Sequence, residues 1–385
     1  MPDGTKLKKG LRDLVIIVAA TLILGCFLEG LASFVLFYTR IDSIRIPAER
    51  LHTAFDPLLG WVNKRNVHIQ DMYGPDIYVK TNSQGFRNIR DVTQNVPAGK
   101  RRWICCGDSF TFGYGVDNEH TWCALLAAGD PAIETVNMGQ GGYGLDQIYL
   151  WYMRDGAPLQ HDVLIIAFIT EDIPRMASNE YMKYPRPRLV VKNGRIHKDN
   201  APLPRPGFLT SYLPRYYPLI TRLSVVRLAQ EMQKRYGDED IGDEARYSQQ
   251  ELIELTLAIF TAFSKHAEKH DRAVFFVHLP IADDYRESPQ LDRVRAFLRS
   301  SAGQNNWHYI DLIAELRKLG PTEAAGLFIP KDVKHYAYSR GHYSKQGNQY
   351  IAGLLAERIN RHLSSQHTRL PAGSDTHENR SPSEK

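Results

Sequence analysis

From Leu14 to Tyr38 the chain is almost entirely apolar, and Glu29 is the one charged residue in the run. About twenty residues at 1.5 Å each cross the hydrocarbon core of a bilayer, so the run is long enough to span. Lys6, Lys8, Lys9 and Arg12 precede it. Basic residues on the amino side predict a cytoplasmic start and an exported remainder, an inner-membrane protein whose main domain is extracytoplasmic. A cleaved signal peptide ending near Gly25 is the rival, and Ile23-Leu24-Gly25-Cys26 faintly suggests a lipoprotein acceptor. Apolar character continues through Phe37, which favours an uncleaved anchor.

Behind the anchor, short apolar runs alternate with amphipathic stretches. Trp103–Cys106, Ile133–Val136, Val163–Phe168, Ala273–His278 and Trp307–Ile310 read as strands, and Gln249–His266, Leu291–Ser300 and Gln349–Leu363 as helices. Such alternation is what a parallel sheet with crossover helices requires. With 385 residues, 43% of them hydrophobic, the chain supports one substantial domain after anchor and tail are set aside. The expected layout is a basic segment (1–13), the anchor (14–38), a leader (39–100), the main domain (101–363) with an insertion near 180–245, and a tail (364–385). The tail is rich in Ser, Thr, Pro, Asn and charge, a composition that predicts disorder.

Several function classes drop out on composition. The net charge is +5 with no basic stripe interleaved with aromatics, so nucleic acid is not an expected partner. Of four cysteines one lies in the anchor, and the odd number left argues against a disulfide framework. Cys105 and Cys106 fall on a strand and Cys123 on the next helix, where thiols serve as small hydrophobes. No zinc-like spacing is present, and neither metal nor cofactor is expected.

Chemistry concentrates at Gly107-Asp108-Ser109-Phe110, where an apolar strand ends. In an open α/β sheet the carboxyl ends of the strands face the ligand crevice. A serine hydroxyl is a weak nucleophile, and needs a base within reach and donors for the developing oxyanion. Asn137-Met138-Gly139-Gln140-Gly141-Gly142-Tyr143-Gly144 is glycine-rich enough to bring backbone amides close to a carbonyl oxygen. Gly341-His342-Tyr343-Ser344 sets a histidine on a loop before the last helix. The plainer alternatives are an Asp-Ser turn capping a helix, a loop histidine bonded to backbone, and glycines needed only for a tight turn. His278 and His335 read as structural, with His335 the reserve base.

These blocks resemble the SGNH, or GDSL-type, hydrolase superfamily from near Phe55 to near Leu363. Asp56-Pro57-Leu58-Leu59-Gly60-Trp61 and Thr81-Asn82-Ser83-Gln84-Gly85-Phe86-Arg87 resemble the leader of a membrane-anchored bacterial subgroup often associated with surface polysaccharides. The resemblance implies a three-layer, flavodoxin-like α/β fold, with Ser109 as nucleophile, His342 as base, and the amides of Ser109 and Gly142 in the oxyanion hole. It implies a serine esterase removing O-acyl groups, acetyl above all, from an exported polysaccharide or glycan. Because His342 follows Ser109, chain order favours hydrolase over O-acyltransferase.

Two positions depart from the pattern. Glu171 stands where the family carries an oxyanion-hole asparagine, and Ser339 or Arg340 where an aspartate usually precedes the histidine. A carboxylate about 4 Å from an oxyanion costs on the order of 4 kcal/mol at an effective dielectric near 20, about a thousandfold in rate. Glu171 and Asp172 also read as turn and cap residues. The departures motivate a second class, a membrane-tethered protein of the same fold that binds or assembles polysaccharide with impaired chemistry. Arg186–Gly207, rich in Pro and basic residues with an Asn193-Gly194 hairpin signal, either covers the site or is a solvated loop.

Overall fold

The structure, a computed structural model, describes residues 4–40, 49–182, 184–203, 223–225, 228, 247–330, 332 and 339–367. The amino-terminal helix α1 (Gly4–Arg40) contains Lys8–Val35, long and apolar enough to cross a membrane. Its one acidic residue within the apolar run, Glu29, accepts the backbone N–H groups of Ser224 and Val225, and Ser33 Oγ lies 2.7 Å from Ser224 Oγ. A carboxylate within so apolar a helix is costly to bury in an apolar surrounding unless it is hydrogen-bonded.

Two short strands, β1 (Thr53–Asp56) and β2 (Gly60–Asn63), form an antiparallel hairpin in the leader. The central sheet consists of β3 (Arg101–Gly107), β4 (Ile133–Gly139), β5 (Val163–Phe168), β6 (Ala273–His278) and β7 (His308–Asp311). All its pairings are parallel, in spatial order β7-β6-β5-β3-β4. Counted from the first sheet strand this is the flavodoxin-like order 2-1-3-4-5, whose switch point lies between β3 and β5.

Both faces of the sheet are buried, which explains why its strands are near-continuous apolar runs. Ile104, Cys106, Val136, Met138, Leu164 and Ile166 pack on one side, with Ile259, Phe260 and Phe263 of the helix Gln249–Lys269. Trp103, Cys105, Val163, Ile165, Phe275 and Val277 pack on the other, with Trp122 and Leu126 and with Ile351, Leu355 and Ile359 of the last helix, Lys345–His367. Successive residues of β3 thus serve opposite layers, as the pleat dictates. Cys105, Cys106 and Cys123 are buried free thiols, and burial pushes Cys105 and Cys106 well up. The three-layer α/β expectation is met. The last helix runs to His367, four residues into the segment expected to be tail, because nothing in Ser364-Ser365-Gln366-His367 breaks a helix; residues 368–385 lie outside the described set.

Leu189–Lys192 and Arg195–Lys198 pair as the expected hairpin, with Asn193 and Gly194 both at positive φ (53° and 68°). That is the turn Asn-Gly favours. Much of the remainder of the insertion lies outside the described residues.

The ends of β3 and β4 are glycines for a steric reason. A β-carbon on Gly139 would stand 2.0 Å from Phe112 N, and one on Gly107 2.0 Å from Thr111 Oγ1. The short helix after β3 therefore rests directly on these strand ends. Gly139→Ala is expected to force backbone apart at a cost of about 3 kcal/mol, lowering the unfolding midpoint of the detergent-solubilised protein by roughly 5–10 °C in scanning calorimetry.

Candidate active site

Strand β3 ends in Gly107, and Ser109 begins a single helical turn, Ser109–Phe112. Asp108 caps that turn by accepting the Phe110 amide at 2.9 Å, and Gly113, in the left-handed region at φ 91°, closes it by donating to the Ser109 carbonyl. Asp108 is thus the capping residue of the plainer reading, and the Ser109 hydroxyl lies between it and the loop ahead of the last helix. Ser109 Oγ lies 2.7 Å from His342 Nε2. The two residues singled out from sequence are brought together.

His342 sits on the loop before the last helix, fixed by its own backbone: its N–H donates to Ser339 and its carbonyl accepts from Ile329. The ring stacks on Phe110 at 4.5 Å and lies 5.1 Å from the Tyr114 ring. Nδ1 is buried with no hydrogen-bond partner among the described residues. Burial lowers the pKa to about 4, against the opposing influence of Asp108 and of the Ser339 and Arg340 main chain.

Neither the Ser109 nor the Gly142 N–H donates to an acceptor among the described residues. The Gly142 amide belongs to the peptide whose carbonyl is that of Gly141, and this carbonyl accepts the Trp61 indole N–H at 2.9 Å. Because a peptide is planar and trans, holding the oxygen on one side aims the N–H to the other. Arg186 takes the Gly142 carbonyl at 2.6 Å and lies 5.0 Å over the Trp61 ring. Gly142 has φ 74°, and a β-carbon there would strike the Tyr181 ring at 2.5 Å. The leader and the start of the insertion together clamp the loop that presents this amide.

Glu171 follows β5 and lines, with Phe110, Ile169, Arg175, Ile281 and His342, a cavity of about 460 Å³ beside Ser109. Its Oε2 is buried and has no hydrogen-bond partner among the described residues. Glu171 is not the group that orients His342. Asp172 accepts the Ile169 amide at 3.1 Å and the Arg175 guanidinium at 2.5 Å, the turn-and-cap role expected of it. Burial, and then the nearby Asp108, push the Asp172 carboxyl up. Burial works against the Arg175 charge, but Asp172 and Asp108 outweigh it and hold the guanidinium protonated.

His278 is fully enclosed, with one ring nitrogen 2.9 Å from Thr170 Oγ1 and the other 2.9 Å from the Tyr309 hydroxyl. Its structural reading fits, and His335 lies outside the described residues. Among these residues no cluster of three or more His, Cys, Asp or Glu is arranged to hold a metal. Sequence reasoning missed Arg175, Arg186 and the positioning role of Trp61. Only the spacing of Arg175, four residues after Glu171 and so one helical turn on, carried a usable signal.

The comparisons fit this geometry. Similar solved structures include a G-D-S-L lipolytic protein from Veillonella parvula (14% identity, TM-score 0.37, 68% of this chain and 99% of that one). The lipase/acylhydrolase from Enterococcus faecalis (13%, 0.37, 68% and 96%) and the acetyl xylan esterase AlAXEase (14%, 0.37, 68% and 99%) are further examples. No curated protein matches the sequence significantly. The family model of the GDSL-like lipase/acylhydrolases matches residues 105–350, a span that opens on β3, includes both Ser109 and His342, and makes up most of the chain, which therefore belongs to that family.

Proposed function

We propose that the chain is a membrane-anchored serine esterase that removes O-acyl groups, acetyl foremost, from an exported polysaccharide or glycan. The 2.7 Å contact of Ser109 Oγ with His342 Nε2, beside a cavity that His342 itself lines, is the observation that carries this reading. His342 takes the Ser109 proton as Oγ attacks the acyl carbon, and the carbonyl oxygen becomes an oxyanion facing the amides of Ser109 and Gly142. The C–O bond to the alcohol then breaks, with His342 returning its proton to the departing oxygen. Water, deprotonated by the same ring, releases the acid and regenerates Ser109.

Carbohydrate as the acyl carrier rests on the resemblance of the Asp56–Trp61 and Thr81–Arg87 blocks to a polysaccharide-associated subgroup. Export rests on the basic residues ahead of the apolar helix. One observation favours the second reading, a tethered binding or assembly protein of the same fold: the unpaired Glu171 carboxylate in the cavity wall.

Ser109→Ala is expected to abolish hydrolysis of p-nitrophenyl acetate while leaving the unfolding midpoint near that of wild type; equal activity in the two proteins would refute the assignment. The base accepts a proton only when neutral, and His342 is held near pKa 4. The kcat/KM profile should accordingly rise through about pH 4 and stay level across neutrality, in place of the midpoint near 6.5 that an ordinary histidine gives. A reporter active only outside the cytoplasm, fused after Lys345, should be active, with Leu14–Tyr38 retained in the mature membrane-bound protein; a mature amino terminus at Cys26 would overturn the anchor.

A further inference from the structure

Arg175 occupies a place that its ion pairs alone do not explain. Its Nη1 lies 3.0 Å from Asp108 Oδ2 and 3.4 Å from the Tyr143 carbonyl, besides Asp172 Oδ1 at 2.5 Å. Asp108 immediately precedes Ser109 and Tyr143 immediately follows Gly142, so the guanidinium sits between the residues that supply the two undonated amides. Asp108 Oδ2 also lies 3.4 Å from Ser109 Oγ, so cation and nucleophile share one carboxylate oxygen. All three contacts use a single nitrogen. Nε and Nη2 donate to nothing among the described residues, and the side chain, 29% exposed, lines the cavity together with Phe110 and His342.

A fork of five donors tied through a single nitrogen, on a side chain that lines a cavity, has donors left for an anion there. The anion that forms beside Ser109 is the acyl oxyanion. Glu171 lines the cavity that His342 also lines, and the repulsion of a carboxylate there has to be offset if acyl transfer is to be fast.

Building on the esterase reading, we propose that Arg175 is a catalytic residue whose open guanidinium edge donates to the tetrahedral oxyanion, a cationic third donor beside the amides of Ser109 and Gly142. No bond to Arg175 is made or broken; it gains hydrogen bonds as charge moves onto the acyl oxygen and returns them when the carbonyl re-forms.

The test uses the full chain in detergent with p-nitrophenyl acetate and a trifluoromethyl ketone that forms a tetrahedral adduct with an active serine. Arg175→Met should lower kcat about 100- to 1,000-fold with KM within about twofold, and weaken the ketone by a matching factor. Arg175→Lys keeps a cation for Asp108 and Asp172 but loses the second donor arm, and should fold normally with kcat down at least about tenfold; it decides the matter if the methionine variant does not fold. Glu171→Asn should raise kcat about ten- to a hundredfold in wild type and by a larger factor in Arg175→Met, since the repulsion is then no longer offset.

Wild-type kcat in Arg175→Lys would overturn the proposal. A raised KM at unchanged kcat would too, placing the guanidinium on a ground-state group of the substrate. So would a fall in kcat without loss of ketone affinity, which would assign Arg175 to holding Asp108. If Ser109→Ala keeps wild-type hydrolysis, the esterase reading itself fails; if that variant is dead and the arginine variants are not, only the role of Arg175 fails.

Discussion

The hydrogen bond from Ser109 to His342 joins residues 233 positions apart, and most of the architecture serves to bring its ends together. Ser109 is fixed where β3 meets its one-turn helix, over glycines that admit no side chain. His342 is fixed from the other side of the molecule. The neighbouring Tyr343 is buried with its hydroxyl on the Pro280 carbonyl, and Asn348 in the following helix accepts the Trp122 amide. The parallel sheet supplies the common frame, because its strand order opens a crevice between β3 and β5 where both groups arrive.

The electrostatics around that bond differ from a carboxylate-supported triad. No carboxylate bonds to His342 Nδ1 among the described residues, so the ring lacks the full negative charge that would favour imidazolium more strongly. The full charges are displaced to the opposite side of the serine. There Asp108 and Asp172 are buried around Arg175, and Glu171 stands unpaired in the cavity wall. Arg175 is the cation set among these three carboxyl groups, paired with Asp108 and Asp172. Losing that cation would strand two buried carboxylates, a far costlier arrangement than losing a surface pair.

How much of this was legible in the sequence follows from how local each signal is. The five sheet strands, the Gly-Asp-Ser turn, the Asn193-Gly194 hairpin and the loop histidine each announce themselves within a few residues, through apolar runs, turn chemistry and helix periodicity. Strand and helix ends shifted by a few residues, as when the last helix ran on to His367. The roles of Trp61, Arg186 and Arg175 could not be read that way. Trp61 matters because its indole reaches a carbonyl 80 residues downstream, and Arg186 because it closes on Gly142 from an insertion. Contacts of that kind exist only once the chain has folded. The missing aspartate was visible as an absence, and the fold leaves His342 Nδ1 without a hydrogen-bond partner among the described residues.

An activated serine is the central claim, and a fluorophosphonate probe reports it directly, because phosphonylation requires a hydroxyl whose proton a base removes and an oxyanion site for the phosphonyl oxygen. Peptide mapping by mass spectrometry after treating the solubilised full-length protein should find the adduct on Ser109 alone, with labelling lost in Ser109→Ala and strongly slowed in His342→Ala. An unlabelled wild-type protein, or labelling that survives Ser109→Ala, would contradict the account.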